Sequence, residues 1–176
     1  MKFRFQFIFL FLVICAPLSP NFAQTPNTTD EATAPGYELH DVAHGIKIKL
    51  PNALWGINAN KYAISLSHGT YFDVYISLKK SWYAVTNAGE AYSQRRISLR
   101  SYLPGAVFIK ENEAITIGTT QGLSMTYTNP SEKKVVREIV FIHKGVPYEV
   151  SFTVKEENFN AVKADFGAIL QNLQLI

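Results

Sequence analysis

Residues 134–173 read KVVREIVFIHKGVPYEVSFTVKEENFNAVKADFGAILQNL, and this stretch decides the fold. Two strand-like runs, 134–143 and 147–154, flank Lys144-Gly145. That dipeptide suits a tight hairpin turn, because glycine reaches positive φ without steric cost. The first run does not alternate cleanly at Val136, Ile139, Phe141 and His143, which predicts a bulge or a strand buried on both faces. From about Asn158 to Leu173 the period becomes helical, and Phe159, Val162, Phe166, Ile169, Leu170 and Leu173 form one apolar stripe. The stripe must pack on the sheet, since burying each such side chain contributes roughly 1.5–3 kcal/mol.

The same signals recur upstream. Runs 106–117 and 121–128 add two strands, and Asn129-Pro130-Ser131 turns the chain toward the next. Residues 61–68 and 71–78 read as a hairpin around His68-Gly69-Thr70, with Phe72, Val74, Ile76 and Leu78 alternating against Asp73, Tyr75 and Ser77. Ile46, Ile48 and Leu50 alternate with Lys47 and Lys49, and Tyr37, Leu39 and Val42 form a partner run before His44-Gly45. Pro51 ends that pair and Trp55 follows in an Asn/Gly-rich loop. Between the strand groups a helix runs from about Ala88 to Leu103, with Asn87 and Glu90 at capping-box spacing and Pro104-Gly105 as its stop. Its stripe is Ala88, Tyr92, Leu99, Tyr102 and Leu103, with Arg95, Arg96 and Arg100 mainly away from it. Successive hairpins mean an antiparallel sheet, here of about six to eight strands, and two amphipathic helices must cover it. The class is α+β.

The N-terminus carries an export signal. Lys2 and Arg4 precede an apolar run from Phe7 to Ala16, which is shorter than the roughly 20 residues needed to span a bilayer. Pro17 and Pro20 stop it, and Ala23 before Gln24 offers a cut. The organisation is therefore a signal over 1–23, a flexible linker over 24–36 and one domain over 37–176. The cut lowers the formal charge from +3 to +1, so nothing pulls the domain globally toward nucleic acid, and the membrane is met only through the signal before cleavage. Cys15, the only cysteine, lies within the signal, which excludes thiol catalysis, disulfides and cysteine-based metal sites from the domain. An uncleaved anchor and a lipidated Cys15 are the alternatives to a soluble exported chain.

Few residues suggest chemistry. His40 and His44 have a spacing that suits a metal on a helix, but they flank a strand turn, where polar histidines are ordinary. His68 and His143 sit beside hairpin turns, where exposure is expected. Glu111 and Glu113 face the same way in an extended run and read as a carboxylate pair or as a solvated strand edge. Residues 118–122, GTTQG, lack the lysine of a phosphate-binding loop and read as a mobile hairpin loop. Lys79, Lys80, Arg95, Arg96 and Arg100, with Trp82 and Tyr83, are the best lead. Together they would suit an anionic ligand, a headgroup or an acidic partner; separately they are a strand end and the wet face of a helix.

The order of elements resembles the PsbP/Mog-like α/β/α sandwich over about residues 37–175. Ile46-Lys47-Ile48-Lys49-Leu50-Pro51 and Trp55 resemble the family's early strand, proline and aromatic. Tyr148-Glu149-Val150-Ser151-Phe152 and then Phe159, Phe166, Ile169 and Leu170 resemble its closing strand and helix. Members of that family support photosystem II or bind a small GTPase, so the resemblance implies an accessory or binding role without catalysis. The expectation is an exported, periplasmic or secreted protein that binds another protein and needs no cofactor. The alternative is a carrier of a small apolar or anionic ligand between sheet and helix.

Overall fold

The computed structural model describes residues 38–176. The signal, its cut and the linker lie outside the described residues. Seven strands form one antiparallel sheet in the order β3-β4-β5-β9-β8-β7-β6. They are β3 (Trp55–Ala59), β4 (Ala63–His68), β5 (Tyr75–Lys80), β6 (Val107–Ile117), β7 (Thr120–Asn129), β8 (Lys134–His143) and β9 (Val146–Lys155). β1 (Glu38–Asp41), β2 (Ile46–Lys49) and β10 (Gln174–Leu175) form a separate three-stranded sheet. Helix α1 (Ala88–Tyr102) joins β5 to β6, and α2 (Phe159–Gln171) follows β9.

The two helices cover opposite faces. In β8, Val136 and Val140 pack with Ala91, Tyr92 and Leu99 of α1, whereas Val135, Ile139 and Phe141 join the core of Val162, Phe166 and Ile169 from α2. The imperfect alternation of this strand is thus two-sided burial; its register with β9 is unbroken from Lys134 to His143. The register shifts fall instead in the edge strand β6, between Phe108 and Glu113. There Asn112 takes φ +55 and donates its N–H to the hydroxyl of Tyr92 at 2.8 Å. The small sheet closes the α2 side, burying Leu39, Ile46, Ile48 and Leu50. Phe152 of β9 stacks on Phe166 of α2 with centroids 4.2 Å apart.

Local chemistry explains the turns. Lys144 and Gly145 both take positive φ, +50 and +77, as a two-residue hairpin joining twisted strands requires. Gly122 is needed for a different reason: a Cβ there would lie 2.7 Å from the Val140 carbonyl oxygen. The segment 118–122 is therefore not one loop, since β7 already begins at Thr120. Asn87 caps α1 by accepting from the Glu90 N–H at 2.9 Å, while the Glu90 carboxylate reaches one residue further back, to Thr86.

Several expectations fail for stated reasons. Trp55 is not in a loop; it opens β3, is buried, and donates its indole N–H to Asp165 of α2 at 2.8 Å. Residues 71–74 form a turn rather than strand, because Asp73 is drawn off to the Lys155 N–H and Asn158, which leaves Phe72 96 % exposed. His68 is buried, with its ring nitrogen accepting from the N–H groups of Thr70 and Tyr71. His143 is half-buried rather than exposed, and loss of hydration pulls its pKa below the ordinary value. Tyr102 stands outside the apolar stripe of α1, and Ala91 takes a place in it.

The Phe152–Phe166 stack sets the first prediction. Phe166→Ala is expected to cost about 3–5 kcal/mol, and Phe166→Asp more, because it buries an unpaired charge. Urea unfolding followed by circular dichroism measures both; a loss below about 1 kcal/mol for the alanine variant would mean that the stack is not the centre of the α2 layer.

Candidate functional site

The sequence-predicted basic residues fall into three places. Lys79 and Arg95 line one cleft together. Lys80, Trp82 and Tyr83 lie where β5 leaves the sheet, and the Lys80 ammonium donates to the Ala43 carbonyl at 2.9 Å. Arg96 and Arg100 lie over the ring of Phe108, 5.6 and 5.3 Å from its centroid. Three of the five cations carry an internal carboxylate partner: Lys79 with Glu149 at 3.2 Å, Arg95 with Glu138, and Arg96 with Glu111. The Glu111 hydrogen bonds raise the Arg96 pKa, and Arg96 in turn lowers that of Glu111. Glu111 and Glu113 are thereby separated as a pair, since Glu113 takes Lys110 at 2.9 Å. The described residues hold no cluster of three or more His, Cys, Asp or Glu side chains suited to a metal. His44 gives its ring nitrogen to Asp41 at 2.7 Å, and His40 points to solvent.

Trp82 is 83 % exposed. It leans on Tyr83 with centroids 5.9 Å apart, beside a shallow hollow of about 360 Å³ lined by both and by Ala84, Val85 and Gln94. The segment is held from below. The Ser81 N–H donates to the Pro147 carbonyl at 2.7 Å, and the Ser81 hydroxyl to Glu149 at 2.6 Å.

The second feature was missed at the level of sequence. Helix α1 packs over β7 and β8, with side-chain contacts reaching β6, so among the described residues the same face of β5 and β9 stays open beside it. On that face the cross-strand pairs are Tyr75 with Thr153, Ser77 with Ser151, and Lys79 with Glu149. The row continues into β8 through Glu138, which lies opposite Ser151. Two adjoining clefts of about 240 and 220 Å³ run along this face and share Tyr75, Arg95, Glu138 and Ser151. Their core is an ionic network. Arg95 donates twice to Glu138, with Nη2 at 2.6 Å, and the Tyr127 hydroxyl donates to the same carboxylate at 2.9 Å. Burial pulls the Arg95 pKa down, but the hydrogen bonds and charge of Glu138 outweigh it and hold it above the ordinary value. Burial, then the charge of Glu138, pushes the Tyr127 hydroxyl up. No sequence signal links these residues, because Arg95 lies 43 positions before Glu138.

A sheet with one helix on each face and a small second sheet at the α2 side is the PsbP/Mog-like α+β architecture. Among solved structures, cyanobacterial PsbP (CyanoP) from Synechocystis sp. PCC 6803 superposes with a TM-score of 0.61 at 13 % identity, covering 86 % of this chain and 99 % of that one. LpqN, involved in cell envelope biogenesis of Mycobacterium tuberculosis, gives 0.54 at 11 % identity, covering 80 % and 90 %. The Saccharomyces cerevisiae Ran-binding protein Mog1p gives 0.52 at 9 %, covering 80 % and 95 %. At such identities the likeness is one of fold. No family model matches the chain, and no curated protein matches it.

The buried network makes a stability prediction with two arms. Arg95→Ala leaves the Glu138 carboxylate buried and unpaired, and is expected to cost about 3–5 kcal/mol. Replacing the whole network together, with Arg95→Met, Glu138→Leu and Tyr127→Phe, is expected to restore stability to within about 1 kcal/mol of the starting chain or above it. Denaturant titration of both variants checks this. A triple variant as unstable as Arg95→Ala would make the network a stabilising device rather than one kept for its chemistry.

Proposed function

We propose that the protein is an exported, non-catalytic accessory protein that works by binding another protein through the surface around Trp82. The observation that carries this reading is the 83 % exposure of Trp82 on a segment fixed from beneath by Ser81. A fixed indole loses little conformational freedom on association, and tryptophan and tyrosine are enriched among residues that dominate binding energy. The hollow beside Trp82 and Tyr83 gives a partner side chain somewhere to insert. Export is supported by Lys2, Arg4, the Phe7–Ala16 run and Ala23. Two proteins of the same fold, one Ran-binding and one involved in envelope biogenesis, do work that suits a binding scaffold. The fold analogy supplies no partner.

The alternative, a carrier of a small apolar or anionic ligand between sheet and helix, finds less support. The layer between the sheet and α2 is filled by Phe152, Phe166, Ile169 and Val154. The clefts beside α1 are lined by charges and hydroxyls.

A photo-crosslinking amino acid in place of Trp82, in the exported fraction of the producing cell, is expected to trap one protein partner. The trapped bait is expected to begin at Gln24. Trp82→Ala should leave unfolding within about 0.5 kcal/mol of the starting chain while weakening capture by roughly 30-fold, the effect of a dominant anchor. Undiminished capture by the alanine variant would remove this surface from the binding site.

A further inference from the structure

Every charge in the cleft beside α1 is neutralised from within. Glu138 takes Arg95 and Tyr127, Glu149 takes Lys79 and Ser81, and Lys134 sits on Glu132. An anion or cation entering the cleft would have to compete with an ion pair already formed, in partly desolvated surroundings where a lone charge is costly. A neutral ligand meets no such competition. The cleft is not apolar either. Its floor carries the Ser77 and Ser151 hydroxyls side by side on neighbouring strands. Arg95 uses Nε and Nη2 on Glu138 and lies against Tyr102, 5.6 Å from its ring centroid.

An extended peptide is poorly served here. β5 lies between β4 and β9, and β9 between β5 and β8, so the backbone groups of the floor are already spent in ladders. Addition of a strand needs a free sheet edge, and this floor has none. What the cleft does offer is the Ser77 and Ser151 hydroxyls beside the fixed Arg95–Glu138 pair, between the half-exposed rings of Tyr75 and Tyr102. A paired carboxylate keeps spare lone pairs and a paired guanidinium spare N–H donors that ring hydroxyls can use, and aromatic faces can cover the C–H surface of a pyranose. Each of the two compartments, about 240 and 220 Å³, falls below the roughly 300 Å³ at which pockets for drug-sized ligands begin. That is room for about one sugar ring in each.

We propose that the cleft between α1 and the β5–β9 floor binds a short neutral carbohydrate, with one ring over Ser77 and Ser151 against Arg95 and Glu138, and the next toward Tyr102. This site adjoins the surface around Trp82 at Glu149, but the proposal does not rest on the reading of that surface.

The test is amide and guanidinium NMR of the isotope-labelled exported chain. Maltotriose, cellotriose, mannotriose and the trimer of N-acetylglucosamine are titrated separately to about 20 mM, which detects a Kd of about 1 mM or tighter. Inorganic phosphate and tetra-alanine serve as the charged and peptide probes. The expected result is saturable shifts at Ser77, Ser151 and the Arg95 Nε–H from at least one trisaccharide. Ser77→Arg, which fills the floor from a half-exposed position, should weaken that binding at least tenfold; Tyr102→Ala, at an exposed site, should weaken it severalfold with the fold intact. The proposal is overturned if no trisaccharide moves these signals, if phosphate or tetra-alanine moves them as much, or if both variants bind unchanged.

Discussion

The alternation of β9 governs everything built on this sheet. Tyr148, Val150, Phe152 and Val154 point to the α2 layer, and Glu149, Ser151 and Thr153 point to the α1 side. A slip of one residue in its pairing with β8 or β5 would put Glu149 against Phe166 and Phe152 in water. The register is therefore fixed by an apolar layer that cannot tolerate the other face. The Phe152–Phe166 and Phe141–Tyr148 stacks lock it at two heights along the strand. The polar floor of the cleft is the reverse side of that same constraint.

Why the reverse side is open follows from helix geometry. α1 spans 15 residues and packs over β7 and β8 with side-chain contacts to β6, and its buried positions Ala91, Tyr92 and Leu99 make a narrow stripe. A helix is about 10–12 Å across, and strands lie about 4.8 Å apart, so one helix covers two or three strands of a sheet. The α2 face gains further cover from the small sheet, whose Ile46 and Ile48 are fully buried. Among the described residues the α1 face has no such second layer. Its uncovered strands carry Ser65, Ser67, Ser77 and Ser151, which need none. Arg95 marks the border: it projects from α1 at the edge of the covered region and closes that edge with Glu138 rather than with an apolar side chain.

The sequence showed those features whose cause is local. Period-two runs located β2, β4, β7 and β9 nearly to the residue, and the 3.6 period gave α2 its buried face. The reading failed where a distant partner decides. Phe72 continued the alternation of the following strand, yet Asp73 is claimed by Lys155 and Asn158, more than 80 positions away. Trp55 looked like a loop residue because Asn52 and Gly56 surround it; its place is set by Asp165 on α2. The same holds for the cleft. Arg95, Lys79, Glu138 and Glu149 each have the local pattern of a solvated charge, and periodicity alone does not show which charges will face one another across an uncovered floor.

The two surfaces meet at Glu149. One of its oxygens lies 3.2 Å from the Lys79 ammonium in the cleft, and the other accepts from Ser81 at 2.6 Å, at the base of the segment that presents Trp82. A buried carboxylate with two fixed donors leaves its neighbours few alternative positions, so the chain leaves β5 in one direction. Lys80 adds a tie to the β1–β2 turn through Ala43, and Ser81 a backbone bond to Pro147. The exposure of Trp82 is thus imposed by polar contacts beneath it, against the cost of leaving an indole in water. Removing those ties would let the ring fold back over Tyr83 or Val85, where it would bury area that the present arrangement keeps outside.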